Sequence, residues 1–395
     1  MLQLSRTSLS LRTAIIAGQL AFAGAALAQD SPEPAGADGN LAELEEVATF
    51  DHQVTGVTVS EDGRIFVNFP RWTEDSPVSV AEVIDGEIRP YPDEEWNAWR
   101  NARKNEVTPE DHWVCVQSVV ADGRGSLWVL DPAAPATAFL VPGGPKLVKI
   151  DLASNAVVQT IAFDSEAAPQ GTYLNDVRFS PDGSHAYITD SGAQGALLVV
   201  DLESGEARRL LDGHPSTQVE KGVVVTHRGE PVRRPDGRSP EFAADSIELS
   251  NDGETLYWKA LTGRTLYSIA TDVLDNPSAS ADEVAAAAQN EGETVVTDGL
   301  WFDEGGLLYL SALEEDAIKV WDGENLTTIV QDERLRWPDT FSQGPDGAIY
   351  VTSSRIMDMS WYKPENPPQL ETQLWKFDPP SADAPTGSVE PSPAQ

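Results

Sequence analysis

The chain has 395 residues, with 64 acidic against 27 basic side chains and a formal net charge of −37. A surface of that sign repels phosphate backbones and anionic membranes, which excludes nucleic acid as a partner. Cys115 is the only cysteine, so no intramolecular disulfide is available and the hydrophobic core must suffice, as it can at this length.

From the N-terminus, Arg6 and Arg12 form a basic start, residues 14–27 an apolar stretch, and Ala26-Leu27-Ala28 a small-x-small cleavage site. We expect a Sec signal peptide over residues 1–28, a mature chain beginning at Gln29, and a periplasmic or extracellular location. Loss of Arg6 and Arg12 takes the charge from −37 to −39. No cysteine lies at the cut for lipid attachment, and no other run reaches the roughly 18 apolar residues of a membrane span. No membrane anchor is therefore expected. Residues 29–40 and 379–395 are rich in Pro, Ala, Ser, Gly and acidic side chains and are expected to be disordered. One folded domain is expected over 41–378.

That domain repeats a single unit six times, at 55–67, 117–130, 175–188, 245–258, 298–310 and 339–351. Each copy reads polar residue, short apolar strand, tight turn, second apolar strand. The turns carry Gly63, Gly125, Gly183, Gly253, Gly306 and Gly347, which supply the left-handed backbone that a hairpin turn requires. Outer strands follow at 145–152 with 156–163, 195–202 with 205–211, 265–271, 317–322 with 326–331, and 373–378. The segment 41–50 has no partner of its own and is expected to complete the last repeat, closing the ring. A short helix is expected over 282–289. These periods predict an all-β, six-bladed β-propeller closed by its N-terminal strand.

Eight residues before each turn glycine stand Thr55, Gln117, Asn175, Asp245, Asp298 and Asp339, all polar. This position opens the innermost strand of a blade, so the six should ring one mouth of the central channel. Carboxyl groups converging there repel one another, so at least one pKa should rise unless a cation sits among them. The bland alternative is that these side chains cap backbone N–H groups.

The segments FVNFPRW (66–72), SVAEV (79–83), RPYPDEEW (89–96) and CVQSVVADGRGSLWVLD (115–131) resemble the first two blade signatures of the major royal jelly/Yellow family. YITDSGAQGALLVVDL (187–202), SIELSNDGETLYWKAL (246–261), DGLWFDEGGLLYLSALEEDAIKVWD (298–322) and WPDTFSQGPDGAIYVTSSR (337–355) follow in the family's order. The resemblance implies a secreted six-bladed propeller with a ligand pocket at the channel mouth; attributed activities include dopachrome conversion, binding of biogenic amines, and nutritive or signalling roles. The chain departs from the animal members in lacking their disulfides and in having Asp131-Pro132 where Asp-Ser-Gly is usual. A wider resemblance, to gluconolactonase-like propellers, implies a divalent cation such as calcium, for which Asn175, Asp245 and Asp298 are the candidate ligands. The Glu of that pattern is replaced by Thr55 and one Asn by Gln117.

The loop 212–243 is the longest connection and holds His214, His227, Arg228, Arg233, Arg234 and Arg238, as a lid, a binding loop or an exposed insertion. His214 is a candidate proton shuttle. Trp96, Trp99 and Trp113 are either stacking surfaces over the mouth or core residues. Cys115, between Val114 and Val116, reads as a buried strand residue. No nucleotide fingerprint, P-loop, zinc spacing or nucleophile elbow is present. Three functions fit. The first is a propeller binding a small aromatic or cationic metabolite through Gln117, Asn175, Asp245, Asp298, Asp339 and His214, with isomerisation by proton transfer. The second is a metal-dependent lactonase-type hydrolase, and the third a non-catalytic protein-interaction scaffold. Nothing in the sequence fixes an oligomeric state.

Overall fold

The computed structural model describes residues 41–137 and 139–379. The expected signal peptide, the 29–40 linker and the tail from residue 380 lie outside the described residues.

Six four-stranded antiparallel sheets are arranged in a ring. Blade one is Val57–Val59, Ile65–Asn68, Val80–Ile84 and Glu87–Pro90. Blade two is Ser118–Ala121, Ser126–Asp131, Lys146–Asp151 and Ala156–Ala162. Blade three is Leu174–Phe179, His185–Asp190, Ala196–Asp201 and Ala207–Leu210. Blade four is Ala244–Leu249, Thr255–Ala260, Thr265–Ala270 and Gln289–Glu293. Blade five is Thr297–Phe302, Leu308–Ala312, Ala317–Trp321 and Leu326–Gln331. Blade six takes Pro338–Gln343, Ile349–Ser353 and Thr372–Phe377 from the C-terminal part and its outermost strand, Glu45–Phe50, from the N-terminal part. The innermost strands contact one another in order, and that of blade six meets that of blade one. This is the six-bladed propeller with N-terminal closure that the sequence predicts.

The local causes are those read from the repeats. All six turn glycines have φ between 73° and 84°, a region costly for side chains with a Cβ. Alternating residues of neighbouring blades interlock: Trp128, Leu130 and Leu147 of blade two pack with Val177, Ile188 and Leu198 of blade three. Each such side chain contributes about 1.5–3 kcal/mol when removed from water. The helix spans Ala281–Ala287 behind a capping box of Ser280 and Glu283 and stops short of 289. Gln289–Glu293 is instead a polar fourth strand of blade four, paired with Thr265–Ser268, and its sequence shows no apolar alternation.

Cys115 is buried as expected, but in a bend before the inner strand of blade two rather than in a strand. Burial pushes its thiol up to about 12, which suits an inert core group. Trp99 and Trp113 are core residues, at 1% and 0% exposure. Trp96 packs on Trp113 with ring centroids 4.4 Å apart. Among the described residues, no helix is long and apolar enough to cross a membrane.

Candidate functional site at the channel mouth

In blades three to six the inner strand breaks register at the residue expected in the ring. Strand pairing skips between Leu174 and Val177, Ala244 and Ser246, Thr297 and Leu300, and Pro338 and Phe341. Asn175, Asp245, Asp298 and Asp339 sit in these four gaps. A bulge of this kind bends the strand and re-aims its side chain. Hydroxyls from the adjacent strand receive the displaced amides: Thr189 Oγ1 accepts from Asp176 N at 3.2 Å, and Ser311 Oγ from Asp298 N and Gly299 N at 3.0 and 2.8 Å. Thr352 Oγ1 likewise accepts from Thr340 N at 3.1 Å. Gly299 is required here, because a Cβ would lie 1.9 Å from the Asp339 carbonyl oxygen of the next blade.

The bulged side chains and Gln117 form the floor of one cleft of about 400 Å³, part of it open to solvent. Its walls are largely apolar and aromatic: Trp72, Tyr173, Phe242, Leu261, Met359 and Trp361. Thr55 does not line it; its Oγ1 accepts from the side-chain amide Asn68 Nδ2 at 2.9 Å, not from a backbone N–H. His214 is also absent from the lining. Its Nδ1 lies 2.8 Å from Ser216 Oγ and accepts from Ser216 N, capping the short turn Pro215–Thr217. The local Pro-Ser-Thr turn thus holds His214 away from the proton-shuttle position expected for it.

Polar contacts fix the floor unevenly. Trp72 Nε1 donates to Tyr173 Oη at 2.6 Å, and Tyr173 Oη donates to Gln117 Oε1 at 2.9 Å. Asp190 Oδ1 accepts from Tyr173 N and Gly192 N, setting the backbone that carries the tyrosine. Trp337 Nε1 donates to Asp298 Oδ2 at 2.6 Å, and Thr340 Oγ1 to Asp339 Oδ1 at 3.1 Å. Asn175 Oδ1 and Asp245 Oδ1, by contrast, are buried with no hydrogen-bond partner among the described residues, although buried polar atoms are normally paired. Deeper in the channel Arg178 holds Glu248 at 2.8 Å and faces Asp176.

Burial dominates the titration of this cluster. It pushes Asp298 up to about 7, partly offset by the Trp337 N–H, with Asp176 adding repulsion. Asp245 and Asp339 are raised well above the usual carboxylate range by burial, then by Asp298 and Asp176. Asp298 lies close enough to Asp245 to raise its proton affinity, and two buried carboxyls in one cluster resist ionising together. The pair can therefore hold one proton and one charge.

A divalent ion fits this set poorly. Among the described residues no group of three His, Cys, Asp or Glu side chains is placed to hold a metal. Of the candidate ligands Asn175, Asp245 and Asp298, Asp298 Oδ2 is already tied to the Trp337 N–H, a donor where a cation would need a free oxygen.

Sequence reasoning missed the walls. Tyr173 and Phe242 of the walls, and Trp337 that holds Asp298, stand two or three residues before Asn175, Asp245 and Asp339. An aromatic just ahead of a ring residue is the signal that would have found them. Phe242 comes from the 212–243 loop, which is an ordered strap: Glu314 Oε1 accepts from Thr226 N, and Asp316 pairs with His227 and Arg228 at 2.8 and 2.7 Å. Arg234 lies over the Trp361 ring, 4.9 Å from its centroid.

A family model described as major royal jelly protein matches residues 114–380, more than half of the chain; blade one lies outside the matched stretch. No curated protein matches the sequence. A gluconolactonase from Xanthomonas campestris superposes with a TM-score of 0.52 at 12% identity, over 86% of this chain and 91% of its own. A luciferin-regenerating enzyme gives 0.51 at 11% identity, over 86% and 96%. A calcium-binding regucalcin from Agrobacterium tumefaciens gives 0.48 at 14% identity, over 84% and 93%. At these identities the likeness is one of fold.

Proposed function

The chain belongs to the major royal jelly protein family, and on that premise we propose that its channel mouth binds a small aromatic cation and can isomerise it by proton transfer. The observation that carries this reading is the pairing of two unpartnered buried oxygens, Asn175 Oδ1 and Asp245 Oδ1, with a wall of Trp72, Tyr173, Phe242 and Trp361. A cationic N–H satisfies the oxygens, and the rings receive the ligand's aromatic part and its charge. Asp298, near 7, is the base that takes a proton from the bound ligand; the protonated Asp245 returns one at a second position. No oxidant or reductant is needed, because one proton leaves and one arrives. Gln117, fixed by Tyr173, and Asp339 orient the ligand. The N-terminal pattern around Arg6 and Ala28 supports action outside the cytoplasm, and N-terminal sequencing of exported protein should begin at Gln29.

The test is calorimetric titration with an aromatic amine, with tryptamine as the probe, against an uncharged lactone as control. Saturable amine binding that weakens at least tenfold in Asp245→Asn supports the reading. Equal affinity in that variant, or a preference for the lactone, refutes it.

A further inference from the structure

A second polar site lies on blade six, outside the channel. In a chain with 64 acidic and 27 basic residues, one open cleft of about 610 Å³, solvent included, is lined by Arg334, Arg336, Arg355, Gln373 and Trp375 and, among the described residues, by no carboxylate. Around it four cationic side chains, Arg334, Arg336, Arg355 and Lys363, meet two carboxylates, Asp332 and Asp358. Two positive charges are left over, which Glu43 and Glu46 offset in part at longer range.

The guanidinium nitrogens divide into those already committed and those left free. Arg336 Nε and Nη2 donate to Asp358 at 2.9 and 3.0 Å. Arg355 donates through Nε to Asp358 and through Nη1 to the Glu371 carbonyl, at 3.1 and 2.9 Å. Arg334 Nε and Nη2 are held by Asp332. Each arginine therefore keeps one terminal nitrogen without a partner among the described residues, namely Arg334 Nη1, Arg336 Nη1 and Arg355 Nη2. The carboxamide of Gln373 is equally unengaged among those residues. Beside them Trp375, at 2% exposure, has an indole N–H with no acceptor among the described residues, and Arg334 stacks on its ring at 4.9 Å. The cleft is rich in donors and short of acceptors.

Side chains that hold their own geometry lose little entropy on binding, and planar guanidinium groups match tetrahedral oxyanions. We propose that this cleft is a receptor for a phosphate-type dianion, engaged by the free nitrogens of Arg334, Arg336 and Arg355 and by Gln373. The chemistry is shared by free phosphate and by a phosphomonoester headgroup. Arg336 and Arg355 immediately precede Trp337, which holds Asp298, and Ile356, which lines the channel cleft. The two clefts adjoin but share no lining residue, so the proposal does not rest on the reading of the channel site.

Two arms distinguish the sources. Inorganic phosphate is titrated into the purified protein by calorimetry at constant ionic strength, with chloride as the reference anion. Sedimentation with phosphatidylcholine vesicles is compared with and without phosphatidic acid. Saturable binding in the first arm alone assigns free phosphate; binding in the vesicle arm assigns the headgroup; both uphold the receptor. Arg334→Gln, which among the described residues gives up the Asp332 pair and the Trp375 stack, should fold normally and weaken binding at least fivefold, and Arg355→Gln should weaken it as much. Absence of saturable binding in both arms overturns the proposal. So does wild-type affinity in Arg334→Gln and Arg355→Gln.

Discussion

Two buried carboxyl sites at this end of the propeller respond to burial in opposite ways. Asp358, 4% exposed, sits between Arg336, Arg355 and Lys363, and these partners outweigh desolvation and hold it down to about 2. Asp298 is as well buried but has one neutral donor, Trp337, and acidic neighbours, and it rises to about 7. Burial is common to both; the partners decide the sign. The first site is a structural knot that fixes the chain carrying Ile356, Met359 and Trp361 to the cleft. The second keeps unspent charge and hydrogen-bonding capacity, which is what a ligand site requires.

The largest expected effect is at the knot. Asp358→Asn leaves three cations facing one another and should cost about 3 kcal/mol in urea unfolding at pH 7. This is the low end for a broken buried pair, since the partners retain solvent. At the channel mouth the same change should have the opposite sign. Asp298→Asn removes a buried charge and should stabilise the fold by roughly 2 kcal/mol at pH 8, while weakening amine binding. Destabilisation by both substitutions would remove the contrast.

The pH profiles sharpen it. The folded-state pKa of Asp298 lies above its unfolded value, so the native state binds the extra proton and stability falls as pH rises from about 4 to about 7. That of Asp358 lies below, so its contribution is present above about 4 and is lost as pH falls towards about 2. Unfolding midpoints across both windows should show the first slope vanish in Asp298→Asn and the second in Asp358→Asn. Trp337→Phe is a smaller perturbation. Losing the N–H donor should move Asp298 upward by about one further pKa unit, read by carboxyl NMR titration. Arg234→Gln should have the smallest effect, weakening tryptamine binding by a few-fold through the loss of its contact with Trp361.

The repeat made the ring legible. Gly63 to Gly347 and the apolar alternation between them fix strand pairing locally, and eight residues back lie the five side chains that line the cleft. What the sequence did not display was geometry made by tertiary contacts. The bulges at Asn175, Asp298 and Asp339 depend on the hydroxyls of Thr189, Ser311 and Thr352 on the adjacent strand. His214 looked reactive because of its residue type, yet a local turn absorbs it. Trp361 and Met359 reach the cleft from the long connector after Ser353, whose path is set by the Asp358 knot. Gln289–Glu293 joins blade four through backbone pairing and a Ser268–Glu291 side-chain hydrogen bond, and such polar pairing leaves no hydrophobic trace.

The most direct measurement is the number of protons exchanged when tryptamine binds between pH 6 and 7, obtained by calorimetry in two buffers of different ionisation enthalpy. A cation entering the Asp245–Asp298 pair should expel a fraction of a proton from wild-type protein and none from Asp298→Asn. Binding with no proton release, or with the same release in both proteins, would contradict the account.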